Sequence, residues 1–360
     1  MSDRKRVVCH PGIYIKDAIE ELGLNQSEFA LRTGLSIKNV STLISGDSNI
    51  TFDVALKLSA FFGNSVEGWI NLQTQYDLFM NEEARIQSLN EDWNIAKKFD
   101  KEFMRDCLDI EIDSKNKEGT IDALKKAFSV GSLQSLKNTD MYAFCKTSVN
   151  KDINEDTIIM RNAWISVAEK RARDIVCSTF DKEKIINNVK YLRSLTLEHP
   201  RSFEPKLKKF LADSGVKLVI LPYLSKSNVT GVTKWLSNEN CVMVAVNDCG
   251  KDADKIWFAI FHELGHAIKN HKRHLTISYK KDQIMDQDEI EANQFARDSL
   301  IDADSYSEFI KNKSFDLRSI QKFALSQQVA DFIVIGRLQK DELVPWSKFQ
   351  NRKIKYEVIA

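Results

Sequence analysis

The run IWFAIFHELGHAIKNH, residues 256–271, sets His262 and His266 four positions apart, with Glu263 beside the first. Residues at that spacing share one face of a helix, so both imidazoles can reach a single tetrahedral metal ion. Glu263 falls near the same face but offset from it, where a carboxylate can take a proton from water rather than ligate the metal. The rest of the run is apolar nearly all round (Ile256, Trp257, Phe258, Ile260, Phe261, Leu264 and Ile268), as a buried helix is. Two histidines and a glutamate buried there are costly without a partner, and a metal ion is such a partner. A three-ligand site needs one more donor. The stretch DEIEANQFA offers Glu289 with Asn293 four residues on, a ligand and a hydrogen-bonding group for one helix face; Glu291 is the competing third ligand. A structural histidine pair, or a zinc site without turnover, are the alternatives to a catalytic centre. His271, His274 and Tyr279 follow the helix and could stabilise an oxyanion, against a plain surface or core role for each.

Something must hold these groups in place. Short Val- and Ile-rich segments precede the helix: VKLVIL (216–221), GVTKWL (231–236) and CVMVAV (241–246), separated by polar turns, read as strands. An edge strand over Thr230, Gly231, Val232, Thr233, Lys234 and Trp235 would align an extended peptide substrate across the metal.

A second constellation lies near the start of the chain. LNQSEFALRTGLSIKNVSTLISG, residues 24–46, divides into a helix over 26–33, a turn at Gly34 and a second helix capped by Ser36. Leu35 and Val40 would seat the two helices together. If the second helix enters a major groove, its first turns present Ile37, Lys38, Asn39 and Thr42 to base edges, while Gln26 can bond a phosphate. Lys38 suits guanine and Asn39 suits adenine.

At 360 residues, 43% hydrophobic and 29% charged, the chain suits two or three globular domains. No apolar run is long enough to span a membrane, and the first residues lack the hydrophobic core of a signal peptide, so a cytoplasmic protein is expected. Six scattered cysteines form no CxxC pair and suggest neither a disulfide framework nor a thiolate zinc site. A net charge of +1 argues against a protein that coats nucleic acid generally. Residues 1–85 carry eight basic against eleven acidic side chains, which disfavours tight DNA binding by a single copy. The changes of pattern predict an α+β chain: a helix-turn-helix domain over 1–84, a helical connecting region over 85–194, a domain with a small sheet and the HExxH helix over 195–310, and a helical extension over 311–360.

HELGH followed by E-x-E-A-N-x-F-A and preceded by TGVTKWL resembles the ImmA/IrrE metallopeptidases, zincin-type proteins associated with relieving repression by helix-turn-helix regulators. The resemblance covers about residues 195–310 and implies that His262, His266 and Glu289 bind Zn2+ while Glu263 activates water. Where that family runs on to a proline-containing end, this chain reads ARDSLIDAD. Residues 9–80, HPGIYIKDAIEELGLNQSEFA through WINLQTQYDL, resemble HigA-type antitoxins of the Cro/C1 helix-turn-helix class, with Ile37 where an arginine or glutamine is usual. The two resemblances together imply a DNA-binding regulator, acting as a homodimer on an operator, whose zinc metallopeptidase domain cleaves a repressor or antitoxin-type protein. The alternative is an antitoxin-like autorepressor of a toxin-antitoxin module, whose zincin domain is a sensor or a toxin-binding surface without turnover.

Overall fold

The computed structural model describes residues 8–142, 154–236, 240–248, 250–269, 275–279 and 287–356. The chain divides into two compact units, Met1–Asn90 and Glu91–Ala360.

The first unit is all helical: α1 (Gly12–Glu21), α2 (Gln26–Thr33), α3 (Ile37–Ser45), α4 (Phe52–Phe62), α5 (Val66–Met80) and the start of α6 (Glu82–Ala96), which runs on across the division. Local chemistry sets its boundaries. The Asn25 side chain accepts from the Glu28 amide to open α2, and Gly34 closes it in the left-handed conformation, φ 69°, which glycine adopts without a Cβ penalty. Ser36 opens α3 in the same way, accepting from the Asn39 amide at 3.1 Å. Ile15, Ile19, Phe29, Leu35, Val40, Leu43, Val54, Leu58 and Trp69 share one apolar core, with Leu35 and Val40 both inside it as expected. Buried Gln73 on α5 accepts from the Ile50 amide at 2.9 Å, tying the loop after α3 to the far side of the unit.

The second unit continues with α7 (Lys101–Leu108), α8 (Lys117–Phe128), α9 (Glu155–Arg173), α10 (Lys182–Asn187), α11 (Val189–Ser194) and α12 (Pro200–Ala212). Strands β1 (Val216–Leu221), β2 (Val229–Leu236) and β3 (Cys241–Asn247) follow, then α13 (Ala253–Ile268), β4 (Leu275–Tyr279) and α14 (Gln287–Leu300). Helices α15 (Ala303–Lys311), α16 (Leu317–Gln327) and α17 (Asp331–Lys340) come last. The sheet order is β1-β3-β2-β4, with β1 parallel to β3 and the other pairs antiparallel. Together with the helical first unit, this small mixed sheet makes the chain α+β.

Strand β2 is therefore not an edge. It is hydrogen-bonded to β3 on one side and to β4 on the other, and among the described residues the edges are β1 and β4. The expectation of an edge strand over Thr230 to Trp235 is corrected accordingly: β4 returns after α13 and covers the side of β2 that the sequence left open.

Both faces of the sheet are covered. Thr233 bonds to Glu263 on α13, and the next residue, Lys234, pairs with Glu169 on α9. Successive strand residues point to opposite faces, so α13 and α9 lie on opposite sides of the sheet. On the α13 side, Val216, Leu218, Val242, Val244 and Val246 pack with Trp257, Phe261 and Leu264. Phe332, Ile333, Ile335 and Leu338 of α17, with Tyr356, fill the same core. The segment at Lys353–Tyr356 lies along the start of α13. The Ala253 amide donates to the Ile354 carbonyl at 2.9 Å, and the Tyr356 amide donates to Lys251 O at 2.8 Å. Lys353 lies 3.6 Å from Asp254, both nearly buried, and the Trp257 indole donates to the Tyr356 hydroxyl at 3.2 Å. The bond to Ile354 supplies a partner for the first amide of a helix whose N-cap, Asp252, makes no side-chain capping bond.

Candidate functional site

The HExxH residues lie in the last two turns of α13, where burial is nearly complete: Glu263 is 0% exposed, His266 1% and His262 6%. Across from them runs α14. A Cβ on Gly265 would come within 3.0 Å of Ala292 Cα and 3.1 Å of its carbonyl oxygen, so the bare backbone of Gly265 is what lets the two helices approach so closely. That approach brings Glu289 to both imidazoles. Its carboxylate oxygens lie 3.3 Å from His262 Nε2 and 3.3 Å from His266 Nε2, while the two Nε2 atoms are 3.1 Å apart. Glu291 instead accepts a bond from Gln287 at 2.9 Å on the exposed side of α14. Asn293 Oδ1 faces His262 Nδ1 at 3.1 Å, which assigns the ring proton to Nδ1 and leaves the Nε2 lone pair directed at the cluster.

His262, His266 and Glu289 are the one group among the described residues whose donor atoms cluster as metal ligands do, all within 4.8 Å of one another. The fit can be tested on distances. Ligands at the bond lengths of a tetrahedral zinc ion, about 2.0–2.1 Å, stand about 3.3 Å from one another. The three gaps of 3.1, 3.3 and 3.3 Å meet that requirement. Burial depresses the His262 imidazole, but its hydrogen bond to Glu289, the charge of Glu263 and the bond to Asn293 outweigh it and raise the group above its ordinary value. Burial likewise pushes Glu289 up, and the two imidazoles overcome this and hold its carboxyl far below the usual range. Both shifts show a cluster that favours positive charge at its centre; a divalent cation there would supply that charge and be held by the imidazoles in their neutral form.

Glu263 is held from the sheet. The Thr233 hydroxyl donates to Glu263 Oε2 at 2.6 Å. Glu263 Oε1 is fully buried without a hydrogen-bond partner, and it lies over Gly231, where a Cβ would come within 2.3 Å of it. A buried carboxylate oxygen left open in this way is costly, and such exceptions mark sites of chemistry or of bound water and ions.

The six β2 residues named from sequence thus serve different ends. Gly231 and Thr233 back Glu263; Val232 is buried; Lys234 pairs with Glu169; half-buried Trp235 meets Phe180 edge to face at 5.1 Å; Thr230 is half-buried. His271 and His274 lie outside the described residues, as does the side chain of Tyr279. The parts played by Gly231, Thr233 and Gly265 were not read from sequence; the signal available was a glycine inside a strand and another inside HELGH. The turn after α14 forms without the proline, since Asp302 caps α15 by accepting from the Ser305 amide at 2.9 Å.

The proposed base-reading residues lie along α3. Gln26, Ile37, Lys38 and Asn39 are exposed. The Ser36 hydroxyl is engaged as the helix cap. Thr42 is half-buried, its hydroxyl donating to Asn39 O at 3.2 Å and accepting from Ser48 at 3.0 Å, so it is turned back into its own unit. No helix among the described residues is long and apolar enough to cross a membrane.

Residues 15–69 match the helix-turn-helix family model, and residues 213–332 match that of the IrrE N-terminal-like domain of the M78 peptidases. Virulence-associated protein I of Dichelobacter nodosus is 33% identical over 82 residues, covering 22% of this chain and 75% of that protein. Antitoxin HigA-1 of Vibrio cholerae is 38% identical over 80 residues, again 22% of this chain and 75% of the relative. An addiction module antidote protein of the HigA family from Coxiella burnetii, a solved structure, is 28% identical and covers 23% of this chain and 92% of its own, with a TM-score of 0.23. Through its N-terminal unit the chain belongs to the HigA-type Cro/C1 helix-turn-helix family, and it carries an IrrE-like peptidase-family domain behind that module.

Proposed function

We propose that this DNA-binding regulator is a zinc-dependent endopeptidase that cleaves a repressor or antitoxin-type protein in the cytoplasm, while its helix-turn-helix unit holds an operator as a homodimer. The observation that carries the reading is the convergence of His262 Nε2, His266 Nε2 and the Glu289 carboxylate at 3.1–3.3 Å. Zn2+ held by these three residues would act as a Lewis acid that acidifies water and polarises a carbonyl. The protein's own groups do the rest. Asn293 fixes the His262 ring and its tautomer. Thr233 holds Glu263 Oε2, so that Oε1 is the atom that takes a proton from the attacking water and passes it to the departing amide nitrogen. Strand β4, paired on one side only among the described residues, would offer backbone groups to an extended peptide, the role that paired β2 cannot fill.

Glu263→Gln should retain zinc and lose about 10²–10⁴-fold in cleavage, the range for removing a general base. The assay is metal content beside proteolysis of a co-encoded repressor. Equal cleavage by the variant would remove Glu263 from the mechanism. A second reading draws on the likeness to an antitoxin: the chain represses its own operator, and the IrrE-like domain senses a signal or holds a toxin without turnover. Under it, a small toxin co-purifies with the chain, and neither wild type nor Glu263→Gln cuts any candidate.

A further inference from the structure

Residue Ile37 is the first residue of α3 and 56% exposed. It belongs neither to the core of its unit, where α3 places Val40 and Leu43, nor to the partly buried residues packed against that core. The polar side chains around it are largely committed within the unit. Ser36 caps the helix, Thr42 bonds to Asn39 O and Ser48, and Ser45 bonds to Thr42 O at 3.2 Å and to Asp47 at 2.6 Å. What the first turns of α3 leave exposed is Ile37 with Lys38, Asn39 and Ser41. Two of these, Lys38 and Asn39, can name a base through hydrogen bonds. Ile37 cannot, and an exposed isoleucine in a polar groove is unfavourable unless it meets an apolar surface.

The major groove displays one apolar group on its base edges, the C5 methyl of thymine; 5-methylcytosine carries the same methyl at the same place. We propose that Ile37 reads a C5-methyl pyrimidine, so that a half-site of the operator carries thymine opposite this side chain and is specified there by methyl contact rather than by a hydrogen bond. The proposal rests on the reading of α3 as the helix that enters the major groove.

The test uses the full-length protein and duplexes enriched from a random pool. At each thymine of the enriched site, uracil is substituted, which removes the methyl and leaves every hydrogen-bonding group. At one position the change should weaken wild-type binding by about fourfold, as expected for withdrawing one methyl from an apolar contact. Ile37→Ala should bind the thymine duplex more weakly and show no thymine–uracil difference at that position, since the two changes remove the same contact. Placing 5-methylcytosine there, with guanine opposite, should bind more tightly than cytosine does. Equal binding of thymine and uracil duplexes at every position overturns the proposal. So does a thymine–uracil difference that survives in Ile37→Ala, or a methylcytosine no better than cytosine. If the pool yields no enriched duplex, the DNA reading itself fails and the proposal falls with it, an outcome distinct from enriched DNA that ignores the methyl. Ile37 is exposed, so circular dichroism of Ile37→Ala should match wild type and separate lost contact from lost fold.

Discussion

The two candidate sites are built in opposite ways. The candidate DNA-reading face comes from one continuous stretch, residues 26–42, and its proposed recognition groups Gln26, Ile37, Lys38 and Asn39 stand exposed on helices set by their own caps. The candidate metal centre is assembled from β2, α13 and α14, and Glu263, His262 and His266 are almost wholly buried. An exposed reading face tolerates single changes because water can serve any group left unpaired. A buried cluster does not, since each polar atom that loses its partner keeps the desolvation cost. The metal site should therefore respond to substitutions far from its ligands, and the reading face only to changes at or beneath it.

Tyr356→Ala should separate the two most strongly. This ring is 5% exposed, meets Phe203 at 5.3 Å and accepts from Trp257 on α13, so its loss should cost about 3–5 kcal/mol, the range for removing a buried aromatic. Chemical denaturation followed by tryptophan emission should show that loss, with zinc uptake weakened and operator binding retained. Operator binding lost in proportion would show that the two units do not respond independently. Asn293→Ala is gentler: it removes the partner of His262 Nδ1 and touches no metal-facing atom. Zinc affinity, measured against a competing chelator, should fall about 10–100-fold with folding intact. Unchanged affinity would mean the ring is held by its packing alone. Smallest is Ser36→Ala, which removes the cap of α3 and should cost the first unit about 1 kcal/mol. Operator binding should weaken modestly and zinc content should stay as in wild type; a change in zinc content would break the contrast from the other side.

The same contrast explains how far each region could be read from the chain. Asn25, Gly34, Ser36 and Gly46 act within a few residues of themselves, so the limits of α2 and α3 follow from local chemistry. The i, i+4 spacing of His262 and His266 and of Glu289 and Asn293 is likewise local, and it named the atoms that the fold then brings together. The place of β2 was misread because strand order is not a local property. Whether a strand has one neighbour or two depends on β4, which comes back after a whole helix. Thr233 carried no local sign of serving Glu263, and the glycine at 231 marked a close approach without naming its partner thirty-odd positions away, for the same reason.

What the sequence determined by itself is the set of groups and their helical phase: a DNA-reading pair of capped helices, and two helix faces bearing His262, His266, Glu289 and Asn293. Only the tertiary structure decided which carboxylate meets both imidazoles, what holds Glu263, and which strands lie at the sheet edges among the described residues. The physical reason is reach. Caps and helical periodicity act over a few residues, whereas the approach of α14 to α13 at Gly265 and Ala292, and the closing of β2 by β4, depend on how apolar faces far apart in the chain pack into one core.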